Sequence, residues 1–113
     1  MEPRLPAHLE AAGLIRRVAG EGGFAAVLHK GDREAGTLLI VLCENGADAR
    51  AYERMPDADG TRKWHCSRQQ DPENKDDFNR YIARRAEQDG DLWIIELDIA
   101  QAERFIGLDE TGC

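Results

Sequence analysis

Gly22-Gly23-Phe24-Ala25-Ala26-Val27-Leu28-His29-Lys30-Gly31-Asp32-Arg33-Glu34-Ala35-Gly36-Thr37-Leu38-Leu39-Ile40-Val41-Leu42 is the stretch whose reading decides the fold. Two apolar runs flank one short polar loop. Runs of that length bounded by glycine predict strands over 24–29 and 37–43, and the glycine-containing loop between them predicts a hairpin connection. In the second run Leu38, Ile40 and Leu42 point one way while Leu39, Val41 and Cys43 point the other. A strand apolar on both faces belongs in the middle of a sheet covered on both sides.

Working outward, residues 7–19 predict a helix. Pro6 suits its start, Leu14, Ile15 and Val18 form an apolar stripe, and Gly20, Gly22 and Gly23 end it. Downstream, Asn45-Gly46 predicts a two-residue turn with positive φ at both positions. The return strand, 47–54, sets Ala47, Ala49 and Ala51 inward against an outer face of Asp48, Arg50 and Tyr52. Asp57-Ala58-Asp59-Gly60 turns the chain into a short edge strand, Lys63-Trp64-His65-Cys66, and the polar segment 67–74 predicts a mobile loop. Phe78, Tyr81, Ile82 and Ala86 predict a second helix over 73–88, with Asp71-Pro72 at its cap. Leu92-Trp93-Ile94-Ile95-Glu96-Leu97 is a second central strand, placed beside 37–43. Asp98 and Gln101 suit the cap of a short third helix carrying Ile99, Ala102, Phe105 and Ile106. The expectation is one α+β domain over residues 1–113, a mainly antiparallel sheet of about four or five strands with two main helices packed on it.

Composition narrows the function classes. With 42% apolar and 33% charged residues the chain is globular rather than disordered. The net charge of −7, from 22 acidic and 15 basic residues, repels phosphate backbones, so no nucleic-acid partner is expected. The start, Met1-Glu2-Pro3-Arg4-Leu5-Pro6, is no export signal, and no apolar run is long enough to span a membrane. Cys43, Cys66 and Cys113 are odd in number and lack paired spacing, which predicts reduced thiols, no disulfide and a cytoplasmic protein.

The succession Leu14-Ile15-Arg16-Arg17, Gly22-Gly23-Phe24-Ala25-Ala26-Val27-Leu28, Lys30-Gly31-Asp32 with Ala35-Gly36, and Asp91-Leu92-Trp93-Ile94-Ile95-Glu96 resembles domain of unknown function 1491, a family of small alphaproteobacterial proteins. The resemblance covers nearly the whole chain, departing from the family at 5–13 and 99–106. It implies no activity, because the family has none assigned.

The polar loop gathers His29, Lys30, Asp32, Arg33 and Glu34. Such a cluster offers a base in His29, a cation site in Asp32 and Glu34, and an anion site in Lys30 or Arg33. The competing reading is a solvated loop whose glycines set its turns and whose Asp32 bonds its own backbone. His65 and Cys66 point to opposite faces of a strand, so they do not share a metal, and no metal or cofactor is expected. The element order also matches restriction-type nucleases, which place an acid-x-Lys on the third strand. Here that strand reads Tyr52-Glu53-Arg54-Met55, without the lysine. No motif specifies catalysis. The function expected is therefore a cytoplasmic binding or regulatory module acting through protein–protein contact, with His29, Lys30, Asp32, Arg33, Glu34 and Trp64 as its candidate surface. A metal-dependent nuclease-like hydrolase using Asp32 and Glu34 is the alternative.

Overall fold

The structure, a computed structural model, describes residues 5–113. Of the start Met1–Pro6, read above as no export signal, residues 1–4 lie outside the described residues. Helix α1 (Ala7–Gly20) leads into β1 (Phe24–His29), β2 (Leu38–Glu44), β3 (Ala47–Pro56), β4 (Arg62–Gln69), α2 (Lys75–Gln88), β5 (Trp93–Asp98) and a single 3₁₀ turn, η1 (Ala102–Ile106).

The strands form one sheet in the order β1-β5-β2-β3-β4. Neighbours pair antiparallel except β5 and β2, which run parallel in the register Leu38↔Trp93 through Cys43↔Asp98. The two apolar runs that flank the polar loop are therefore not a hairpin. β5 lies between them, and the loop 30–37 carries the chain past its start. A parallel pair needs a crossover connection, and α2 supplies it.

Burial follows the alternation of β2. Leu38, Ile40 and Leu42 join Trp93, Ile95 and Leu97 beneath α1 and η1, while Leu39, Val41 and Cys43 join Leu92, Ile94 and Phe78 beneath α2. α1 faces the sheet with Ala7, Ala11, Leu14 and Val18 at helical spacing. The α2 cap is Asn74, whose side chain accepts the Asp77 N–H at 3.3 Å; Asp71 instead accepts the Glu73 N–H and closes its own turn. The helix thus begins after Pro72, later than its sequence signals suggested. β4 reaches Gln69 and takes Ser67–Gln69 out of the predicted loop.

The Asn45-Gly46 turn has positive φ at both residues, 52° and 75°, as its sequence required. Tyr52 departs from expectation. It is fully buried rather than on a half-exposed face, because η1 covers that side of β3.

Candidate functional site

The polar loop is a clasp. The Asp32 carboxylate accepts the N–H groups of Glu34 and Ala35 at 3.1 and 2.7 Å. Its backbone N–H donates to the Asp91 carbonyl at 3.1 Å, and its carbonyl accepts the Trp93 indole N–H at 2.7 Å. The His29 imidazole donates from Nδ1 to the Leu92 carbonyl at 2.6 Å. The carbonyls of Arg33 and Glu34 accept the first backbone N–H groups of α1, from His8 and Ala7, which a helix start otherwise leaves without partners. The hydrogen bonds of His29 and Asp32 are thus spent on joining α1, β5 and the loop. Among the described residues, Asp32 and Glu34 belong to no group of three or more potential metal ligands. Lys30, Arg33 and Glu34 are exposed.

Trp64 lies elsewhere. It is half-buried on β4, packed against the core beneath α1, and the Arg54 guanidinium stacks 4.8 Å from the centre of its ring. Arg54 also grips both carboxylate oxygens of Glu10 on α1. These contacts form one end of a groove of about 670 Å³, a size that suits a ligand site. α1 contributes Leu9, Gly13 and Leu14 to one wall; Trp64 faces them from β4, and Phe105 and Ile106 close the floor from η1. Leu5 and Leu9 at its lip are 62% and 49% exposed, unusual for leucines beside a core. Arg16 and Arg17 line the far end, where the Arg17 Nη2 donates to the Phe105 carbonyl at 2.9 Å.

Of the six residues singled out in sequence, only Trp64 lines this groove, and Leu5, which also touches the cleft beside Glu34 and Ala35, links it to the loop. Leu5, Leu9 and Gly13 line the groove without belonging to the surface expected from sequence. Their spacing of four is a second stripe offset from the buried one, and that was the available signal.

A third constellation joins Cys43, Glu96 and Asp98, whose ligand atoms lie within 4.8 Å of one another. It is already engaged. Asp98 accepts the N–H groups of Asn45 and Gly46 at 2.7 and 3.0 Å, and Glu96 accepts the Cys43 S–H at 3.3 Å. Burial, reinforced by those carboxylates, pushes the Cys43 thiol up to about 12, so it stays protonated. Cys66 and Cys113 are joined as a disulfide with Cα atoms 5.2 Å apart, which corrects the expectation of three reduced thiols. Their separation of 47 residues hid the pairing from local spacing.

The sequence model of the family described as "Protein of unknown function (DUF1491)" matches residues 5–107. The chain belongs to the DUF1491 family. A crystal structure of a DUF1491 family protein from Caulobacter crescentus CB15 is similar at 30% identity and a TM-score of 0.76, covering 92% of this chain and 96% of that one. An NMR structure of a DUF1491 family protein from the same organism matches at 30% identity and a TM-score of 0.77, covering 94% and 96%. The solution structure of protein Atu0922 from A. tumefaciens shares the fold at 24% identity, a TM-score of 0.73, and coverage of 96% and 98%. No curated protein matches the sequence. No described helix of this DUF1491 chain is long and apolar enough to cross a membrane.

Proposed function

We propose that this DUF1491 protein is a binding module that holds an apolar segment of another protein in the groove between α1, Trp64 and η1. The observation that carries the reading is the pair Leu5 and Leu9, left 62% and 49% exposed at the lip of a preformed apolar groove. Exposed apolar surface rimmed by charge marks interaction sites, and aromatic anchors such as Trp64 dominate binding energy in them. The loop His29–Gly36 supports the groove indirectly, by anchoring the first turn of α1.

The reading keeps the protein in the cytoplasm, as expected of a chain whose start does not read as an export signal. The Cys66–Cys113 pair is then one of the transient kind that reducing compartments open. Pull-down from native cytoplasm with wild type, Leu9→Gln and Asp32→Ala tests the proposal. A partner lost by the Leu9 variant, with that variant folded as wild type by circular dichroism, supports it. Equal recovery with Leu9→Gln, or hydrolysis of nucleic acid that vanishes in Asp32→Ala, defeats it.

A further inference from the structure

The groove carries two features beyond its apolar lining. The first is Gly13, in the middle of α1. Glycine inside a helix costs about 1 kcal/mol relative to alanine, and it is justified where a Cβ would collide with a neighbour. A Cβ at Gly13 would meet nothing within 4 Å. The helix backbone is thus bared toward the groove at Gly13, which leaves room for a close approach there.

The second feature is charge. Glu10 in the groove wall is neutralised by Arg54. Arg16 and Arg17 take part in no ion pair among the described residues. Arg17, in the last turn of α1, donates to the Phe105 carbonyl and has no carboxylate partner among the described residues, and Arg16 is exposed. Two guanidinium groups without a carboxylate partner among the described residues therefore stand at one end of an apolar groove, on a chain whose net charge is −7. Their charge is opposite in sign to that of the chain as a whole. Charged rims of this kind choose partners and orient them more than they add affinity.

We propose that the occupant of the groove is an acidic, apolar peptide segment of a partner protein, seated with its backbone or a small side chain against Gly13 and a carboxylate against Arg16. This deepens the binding reading above and rests on it. Apolar side chains of the segment lie on Leu5, Leu9 and Trp64. Its acidic end fixes the direction in which it enters.

Selection from a random peptide display library on the wild-type protein, with Leu9→Gln, Gly13→Ala and Arg16→Glu in parallel, tests the assignment. All three positions face solvent or open groove, and circular dichroism with thermal melts confirms that each variant folds. The wild type should enrich peptides combining apolar residues with Asp or Glu. Synthetic copies, followed by fluorescence polarisation, should bind about two- to fivefold more weakly to Arg16→Glu, the range of a single exposed charge pair. They should also bind more weakly as salt rises, and lose affinity for Gly13→Ala although that variant melts higher. Peptides that need Leu9 but are neutral or basic would overturn the acidic assignment and leave the groove reading standing. Peptides that bind Gly13→Ala as tightly as wild type would remove the close approach. Absence of any Leu9-dependent peptide would overturn the groove reading and this inference together.

Discussion

Arg50 on β3 and Glu103 on η1 meet in a two-point ion pair, Arg50 Nη2 donating to Oε1 at 2.6 Å and Nε to Oε2, with the Tyr52 hydroxyl donating to Oε2 at 3.1 Å. Glu103 is buried, so this pair decides how η1 sits on the sheet. Removing one member of a buried pair leaves the other charged and uncompensated, at a cost of about 3 kcal/mol or more. Glu103→Ala should therefore lower the urea midpoint by that equivalent. Arg50→Met combined with Glu103→Leu should recover most of the loss, since apolar replacement of both partners removes the stranded charge. A double variant no more stable than Glu103→Ala would contradict this account.

Stability should depend on acid through two carboxyls. Arg50 holds the Glu103 carboxyl below its ordinary range, and Arg85 does the same for Glu53, against the opposing effect of burial in both cases. A carboxyl depressed in the folded state stabilises the fold above its unfolded pKa of about 4.3. That contribution is lost as pH falls through the folded value. Urea midpoints should stay level from neutral pH down to about that point and then drop, and Glu103→Gln should make the drop shallower. An unchanged slope in the Gln variant would assign acid sensitivity elsewhere.

Two glycines should respond in opposite directions to alanine. A Cβ at Gly31 would collide with the Asp91 carbonyl oxygen, where the loop 30–37 passes the start of β5. Gly31→Ala should be among the severe substitutions, costing about 2 kcal/mol or more, because backbone must move. Gly13→Ala should stabilise by about 0.4–1 kcal/mol. Paired thermal melts decide the matter, and a destabilised Gly13 variant would be the failing result.

Thiol counting checks the cysteines. Protein unfolded without reductant should show one reactive thiol, Cys43, and reduced protein all three. The folded protein should show almost none at mildly alkaline pH, because the Cys43 thiol is raised to about 12 and buried. Reduction should cost about 2–4 kcal/mol, since the bridge restrains the unfolded chain. Three thiols in unfolded, unreduced protein would show the bridge to be absent.

Local signals carried much of the fold. The span of β1, the two-faced burial of β2, the Asn45-Gly46 turn and the central place of β5 each follow from period-two patterning or turn chemistry within a few residues. What stayed hidden depended on distant partners. Nothing near Val27 says that its neighbour is Ile95, so adjacent runs suggested a hairpin. Tyr52 sat in a polar-looking register with Asp48 and Arg50 because the residue that satisfies it, Glu103, comes 51 positions later. The loop was legible as a cluster but not as a clasp, since its partners are the start of α1 and of β5. The groove was least legible, being made by four elements and marked by an offset leucine pair and a glycine.

The place of β5 between β1 and β2 has a consequence during synthesis. The chain emerges from the ribosome with both of β5's future neighbours exposed and nothing to join them. β2, β3 and β4 can zip as a local meander, but β1 has no partner and β2 presents a bare edge of Leu39, Ile40 and Val41 until Trp93–Asp98 arrives. Unpaired apolar edges recruit other chains. A nascent chain halted before Leu92 should therefore be the form that chaperones hold and proteases cut. Release of the last strand should convert it, in one late step, to a resistant state.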